Sequence, residues 1–485
     1  MKIGFDNNKY LKLQSEKIKE RINQFGGKLY LEFGGKIFDD YHASRVLPGF
    51  EPDSKLKMLL ELKDQAEMII VINASDIENN KVRGDLGITY DLDVLRLYEA
   101  YRSIGLYVGS VVLTRFANQP QAIKFENKLK SQGIDVYHHY SIDGYPLNVE
   151  KVISEEGYGK NDYIKTSRKL VVITAPGPGS GKMATCLSQI YHEFKRGNKA
   201  GYAKFETFPI WNLPLKHPVN LAYEAATTDL NDINMIDPFH LEAYGQACVN
   251  YNRDIEIFPV LEAMLSKILG YSPYKSPTDM GVNMAGYCIF DDEIVCKAAK
   301  EEIIRRYYDA LCGNKKGIVL QDVVSKNELL LQKAGISLDE RVVVKAALDK
   351  SQSSKTSAVA IELEDGTIVT GKSSSLLSAT SAMLLNALKY LAGIDDSETI
   401  ISPDIIKPIQ ELKTKHFGYT SPKLRADDML LALSICATSS EIAKKALDQL
   451  DKIKHCEVHA SKMLGINDEK VLRKLNLNLT CSPNA

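Results

Sequence analysis

A lysine that closes a run of alternating glycines is where this chain most plainly offers chemistry. In Leu170-Val-Val-Ile-Thr-Ala-Pro-Gly-Pro-Gly-Ser-Gly-Lys-Met-Ala-Thr185, five residues of strand character run into Gly177, Gly179 and Gly181. After Lys182 the apolar spacing turns helical. Strand, glycine loop, lysine and helix is the layout of a phosphate-binding loop. Glycines let backbone N–H groups approach an anion with no Cβ in the way, and a helix N-terminus adds about half a positive charge. Lys182 would meet the β- or γ-phosphate oxygens. Gly177, Gly179, Ser180, Gly181, Lys182 and Thr185 form the expected cofactor-binding set. Two positions depart from the pattern. Pro176 stands where the first glycine belongs, and Met183 where a magnesium-binding hydroxyl belongs. Ser180 or Thr185 would have to replace that hydroxyl.

A nucleotide with magnesium needs further oxygen ligands. Thr185, Glu206, Asp229 and Asp232 are the candidates for the metal. Lys275, Ser276, Thr278, Asp279 and Asn283 gather around Pro277 and Gly281, in a loop suited to phosphate or carboxylate contacts. Lys182, Glu206, Asp237, Lys275 and Asp279 make up the expected catalytic set. Asp39, Asp40, His42 and Arg45 follow a Gly34-Gly35 break and could line the same cleft. Each has a plainer role open to it, because aspartates often cap helices and turns. Arg305-Arg306 reads as a solvated helix face, and His138-His139 is too short a signal for a metal pair. His455 and His459, with Glu457 between them, suit a helix-face metal pair only if that segment is helical.

The elements that must hold these groups alternate. Residues 10–25 read as a helix, 28–33 as a strand, 54–65 as a helix and 68–72 as a buried strand. Helices at 90–104 and 120–132 precede strands at 107–113 and 135–139, and the glycine loop follows the next strand. Such alternation predicts an α/β fold with a parallel sheet and flanking helices, a three-layer Rossmann-like or P-loop-like arrangement. Ligands then bind beyond the carboxyl ends of the strands, which gives weight to Asn73, Asp76, Thr114, Arg115 and Glu206. Residues 38–49 read as irregular, and 206–254 as a functional loop dense in Pro, Asn, Asp and aromatics. The expected domains are 1–160, 161–316 on the same or a closely packed sheet, and a smaller α+β domain at 317–485. That last part opens with a hairpin and an apolar helix. Together they resemble the opening of a cytidine-deaminase-like fold, without the His, Cys and Glu its zinc chemistry needs.

Bulk properties narrow the class. The chain has 485 residues, 25% of them charged, and a net charge of −1. That balance gives no argument for nucleic acid or an anionic membrane as a partner. No apolar run approaches a membrane span, and the N-terminus lacks a signal-peptide core, so the expected location is cytoplasmic. The eight cysteines are scattered and form no C-x-x-C, which points to reduced thiols.

The strings Ala203-Lys-Phe-Glu-Thr-Phe-Pro-Ile-Trp-Asn212, Asn234-Met-Ile-Asp-Pro-Phe-His-Leu-Glu-Ala-Tyr-Gly245 and Tyr274-Lys-Ser-Pro-Thr-Asp-Met-Gly-Val-Asn283 are specific. In them the sequence resembles a bacterial family catalogued as domain of unknown function 1846, over nearly the whole chain. Some members carry the label of ATP-dependent peptidases. This chain does not supply the residues: His192-Glu-Phe-Lys-Arg196 opens like a zinc-peptidase helix, but Arg196 stands in place of the second histidine. Three readings remain open. The first is an enzyme that binds ATP or another nucleotide with magnesium and transfers or uses its phosphoryl group. The second acts on a phosphorylated metabolite without ATP. The third is a non-catalytic ligand-binding or assembly protein with a vestigial loop. Expected partners are a phosphorylated small molecule and further copies of the chain as a homo-oligomer, with no nucleic acid and no membrane.

Overall fold

A computed structural model describes residues 2–38, 40–83 and 86–484; Asp39 lies outside the described residues. The chain forms two compact units, Lys2–Glu224 with Leu230–Ala299, and Ala225–Asp229 with Lys300–Ala485.

The first unit is built on a seven-stranded parallel sheet. Its strands are β1 (Leu29–Phe33), β2 (Ala66–Asn73), β3 (Tyr107–Thr114), β4 (Asp135–His138), β5 (Leu170–Thr174), β6 (Gly201–Phe205) and β7 (Gly281–Val282). They lie in the order β7-β6-β1-β5-β2-β3-β4. Buried on both faces, β2 and β5 carry the apolar runs 68–72 and 170–173, as suits parallel strands covered by helices. Helices α1 (Asn7–Gln24), α2 (Ser54–Glu61), α3 (Tyr90–Ser103), α4 (Pro120–Ser131), α5 (Lys182–Lys195) and α6 (Asn252–Leu269) supply the cover. From β1 the chain moves toward β2. From β5, the neighbour of β1, it moves the other way to β6. The two connections leave toward opposite faces, α2 lying against Phe205 and α5 against Tyr30, so the carboxyl ends of β1 and β5 mark the position where such sheets place a ligand crevice.

Strand alternation sorts the side chains of β1 and β6. Phe33 and Phe205 stack at 4.1 Å on one face, beside Lys55 of α2. Tyr30, Glu32, Tyr202 and Lys204 take the other, beneath α5 and α6. There the Tyr30 hydroxyl donates to Glu193 of α5 at 2.7 Å and the Tyr202 hydroxyl to Glu32 at 2.8 Å.

Two expectations change. Within 38–49, Tyr41–Val46 is a short helix capped by Asp40, whose carboxylate accepts from the Ala43 N–H; the six-residue turn is too short to show apolar periodicity. Likewise 206–254 is not featureless. It holds the helices Pro218–Ala226 and Pro238–Tyr244 and a hairpin of Asn234–Ile236 with Val249–Tyr251.

The second unit carries a four-stranded mixed sheet of β8 (Ala358–Glu362), β9 (Ile368–Lys372), β10 (Glu457–Ala460) and β11 (Asn478–Cys481), in the order β9-β8-β10-β11. Arg341 is fully buried there, paired with Glu301 at 2.8 Å and Glu457 at 2.5 Å. His459 lies on β10, where its ring bonds Thr480 and Ser482. A strand, not a helix, carries it, so the condition for a metal pair with His455 is not met. Arg305 is not a solvated face either: it is 7% exposed and bound to Glu302.

Gly201 marks how closely α1 approaches the sheet. A Cβ there would lie 1.9 Å from the Phe25 ring, and Phe25 is buried. Gly201→Ala is expected to destabilise the first unit by about 1–3 kcal/mol through overpacking. The measurement is the urea midpoint, which should fall; an unchanged midpoint would contradict this packing.

Candidate active site at the carboxyl end of the sheet

The glycine loop leaves β5 and is tied down from the side of β2 and β3. A Cβ on Gly177 would collide with the Tyr90 hydroxyl at 2.3 Å, and one on Gly181 would meet Thr114 at 3.2 Å. Gly179 and Gly181 have φ of 75° and 91°, a region side chains rarely adopt. The Thr114 hydroxyl donates to the Ser180 carbonyl at 2.7 Å, and the Ser180 hydroxyl turns back onto the Gly177 carbonyl at 2.8 Å.

Lys182 opens α5. It shares a helical stripe with Cys186, Gln189 and Glu193, which face β1: Gln189 and Glu193 bond Tyr30, and Glu32 and Lys182 both act electrostatically on Cys186. Helical side chains lean toward the N-terminus, so the half-buried Lys182 leans past the strand ends. Among the described residues, no hydrogen bond or ion pair engages its ammonium. Across the loop, Arg115 follows β3 with φ 51°. Arg115 and Glu32 both act on the Tyr145 hydroxyl, which burial pushes up to about 12.

Thr185 is turned away. It is fully buried, with its hydroxyl 3.5 Å from Nδ1 of His139. Burial pushes the His139 ring down to about 3, so it stays neutral.

One strand beyond β1, a buried ionic cluster forms around Lys204. Its ammonium lies 2.8 Å from Glu206 and also bonds Asp254 and the Tyr251 hydroxyl. Tyr251 precedes α6 as its N-cap, and Asp254 lies in its first turn. The Tyr251 hydroxyl donates to Glu206 at 3.2 Å. Burial opposes the Lys204 charge, but Asp254 and Glu206 outweigh it and raise the pKa. For Glu206, burial pushes the carboxyl up to about 7; Lys204 opposes this, while Asp254 adds to it by its charge and a shared hydrogen bond. Two carboxyl groups can share a hydrogen bond only if one keeps its proton. An aromatic wall follows: Phe208 stacks on Tyr223 at 5.6 Å, and His42 touches both rings. Asp40 holds Lys55 at 2.7 Å; burial would raise its carboxyl, but Lys55 outweighs that and lowers it.

The other expected residues have structural partners. Asp237 caps Pro238–Tyr244 and accepts from the Thr278 hydroxyl at 2.6 Å, pinning the two dense loops together. Asp279 accepts from the Tyr244 hydroxyl at 2.8 Å and the Lys275 N–H at 3.0 Å, and the exposed Lys275 side chain lies over the Tyr244 ring. Asn283 donates to the Thr207 and Pro209 carbonyls. Asp232 is ion-paired with Arg253. Asp229 is exposed on a 3-10 turn of the second unit. Asn73 caps a short helix, Asp76 pairs with Lys81, and His138 with Glu126. Asp254, Tyr251 and Glu32 are additions to the site. For Glu32 the signal available was a charge on a strand that otherwise reads as buried; Asp254 and Tyr251 lie at a helix start and carried no local signal.

The comparisons agree on one family. The model described as domain of unknown function DUF1846, N-terminal, matches residues 3–335, and its C-terminal counterpart matches 339–485. A UPF0371 protein of Streptococcus thermophilus is 57% identical over 482 residues, covering 99% of this chain and 98% of that one. A UPF0371 protein of Streptococcus pneumoniae is 56% identical with the same coverage, and one of Streptococcus pyogenes is 55% identical over 99% of this chain and 97% of its own. The chain belongs to this DUF1846 family. No described helix is long and apolar enough to cross a membrane.

Glu206 should leave a signature in stability. Folded, it holds its proton to about pH 7, against 4.5 as its ordinary value. The folded state therefore binds the extra proton across that interval, and stability falls as pH rises through it. A shift of this size is worth about 3 kcal/mol for one isolated group. Glu206→Gln is expected to flatten the slope in urea unfolding between about pH 5 and 8. Coinciding slopes would place the titration elsewhere.

Proposed function

We propose that this protein is an enzyme acting on a phosphorylated small molecule. The phosphate docks on the 177–182 loop and Lys182, and the Glu206–Asp254 pair moves a proton on the other end of the molecule. The observation that carries this is the pairing of an ammonium on a rigid glycine loop, unengaged among the described residues, with the Glu206 and Asp254 carboxyl groups gathered on Lys204 two strands away. Two strand spacings are about 10 Å, a span suited to a small metabolite. Glu206, whose carboxyl is pushed up to about 7 by burial, is suited to take or give a proton near neutral pH. Its raised pKa keeps Lys204 charged, which suits it to stabilise a developing oxyanion and not to attack as a free amine.

The ligand's own phosphate is favoured over ATP with magnesium by the side chains around the loop. The Ser180 and Thr185 hydroxyls point inward, and Asp232 is committed to Arg253. Of the expected magnesium ligands, Thr185 is thus turned away from the loop and Asp232 is already paired.

Thermal-shift measurements with inorganic phosphate, sugar phosphates and ATP, with and without magnesium, test the reading. Sugar phosphates should stabilise the wild type, and Lys182→Ala should lose that gain. Glu206→Gln should keep it while losing deuterium exchange from solvent into the bound ligand. Stabilisation by magnesium-ATP alone would restore the phosphoryl-transfer reading. No response to any phosphate, or one indifferent to Lys182→Ala, would remove both.

A further inference from the structure

His217, Asp292 and Cys296 bring three different metal-binding atoms to one point of the first unit, apart from the groups described above. Asp292 and Cys296 are four residues apart at the start of helix α7 (Asp292–Lys315), so they project from one face. His217, just ahead of Pro218–Ala226, meets them from outside that helix. Its Nε2 lies 3.0 Å from an Asp292 oxygen and 3.4 Å from Cys296 Sγ. Sγ is 3.7 Å from the other Asp292 oxygen.

The two distances from Nε2 are close to the edges of a coordination tetrahedron, and one ligand atom from each residue lies within 4.8 Å of the others. With zinc–sulfur bonds of about 2.3 Å and zinc–nitrogen or zinc–oxygen bonds of about 2.0–2.1 Å, ligand atoms sit roughly 3.3–3.6 Å apart. We propose that His217, Asp292 and Cys296 form a zinc site with water as the fourth ligand. The thiolate and imidazole select zinc over magnesium or calcium. His217 is 9% exposed and so held in place, whereas the Asp292 side chain is 65% exposed, which leaves the fourth position open to solvent.

The proton balance is simple. The Val219 N–H donates to His217 Nδ1 at 3.3 Å, so in the metal-free chain the ring proton sits on Nε2, facing Asp292. On binding, Nε2 takes the metal, the ring proton moves to Nδ1, and this one long hydrogen bond is given up. The Cys296 thiol loses its proton to solvent as the sulfur–zinc bond forms, and Asp292 contributes a carboxylate oxygen. One proton is released per metal bound.

The test uses the full chain, treated with chelator and titrated with cobalt(II) as a probe for zinc. A single equivalent should give tetrahedral d–d absorption and a thiolate-to-cobalt charge-transfer band, both discharged by zinc and not by magnesium. Cys296→Ser should abolish the charge-transfer band. Asp292→Asn, at a side chain that is 65% exposed, should weaken binding by about tenfold or more. A wild type of native circular dichroism that shows no such band would overturn the site. So would a band that persists in Cys296→Ser.

Discussion

A buried ammonium needs counter-charge close by, and Lys204 sets that demand at the centre of the first unit. A charge taken out of water is costly unless paired and hydrogen-bonded. Asp254, Glu206 and the Tyr251 hydroxyl meet the demand, and in doing so they fix where α6 begins relative to β6. Glu32 lies on the neighbouring strand in register with Lys204 and is held by Tyr202. The cluster thus holds more carboxylates than cations. One carboxyl relieves the excess by keeping its proton, so the requirement that stabilises the core also leaves a proton available at neutral pH.

The glycine loop is held by different means. Among the described residues no ion pair fixes it; close packing does. Tyr90 and Thr114 leave no room for side chains at Gly177 and Gly181, and the Ser180 hydroxyl closes the turn on itself. A loop fixed in this way presents its amides without reorganising, which is what an anion site needs. The dense segments on the far side act as buttresses. Asp237, Thr278, Asn283 and Trp211 tie them to each other and to the chain after β6, and β7 sets Gly281 against Glu206, close enough to leave little room for a larger side chain.

Local signals carried the strands, most helix positions, the glycine loop and Lys182 into the sequence reading, because each is written within a few neighbouring residues. Glu206 was legible for the same reason, by its place after a strand. Its partners were not. Asp254 and Tyr251 are dozens of residues away and meet it only once α6 packs on the sheet, and Glu32 meets Tyr202 only through the pairing of β1 with β6. Asp237 shows the opposite failure: an aspartate followed by proline among polar residues reads as a ligand, yet that pattern is also what a helix cap requires. Thr185 fails by rotation. One step along a helix decides between the crevice and the core, and the sequence around the loop does not resolve that step. His217, Asp292 and Cys296 come from separate parts of the chain and leave no motif at all.

The whole chain is nearly neutral, yet its charge is locally divided. The loop end of the crevice presents Lys182, Arg115 and a helix N-terminus. The β6 end presents carboxyl groups around one fully committed ammonium. On the proposed function, a ligand with a single anionic group would bind this field in one direction, with the anion on the loop and its uncharged carbon and hydroxyl groups against Glu206 and Asp254. Reversing it would set like charges together in a poorly hydrated space, where their repulsion is strong. Charge separation of this kind would orient the proposed substrate before any side chain read its shape, and the rings of Phe208, Tyr223 and Tyr251 would then exclude water from its reacting end.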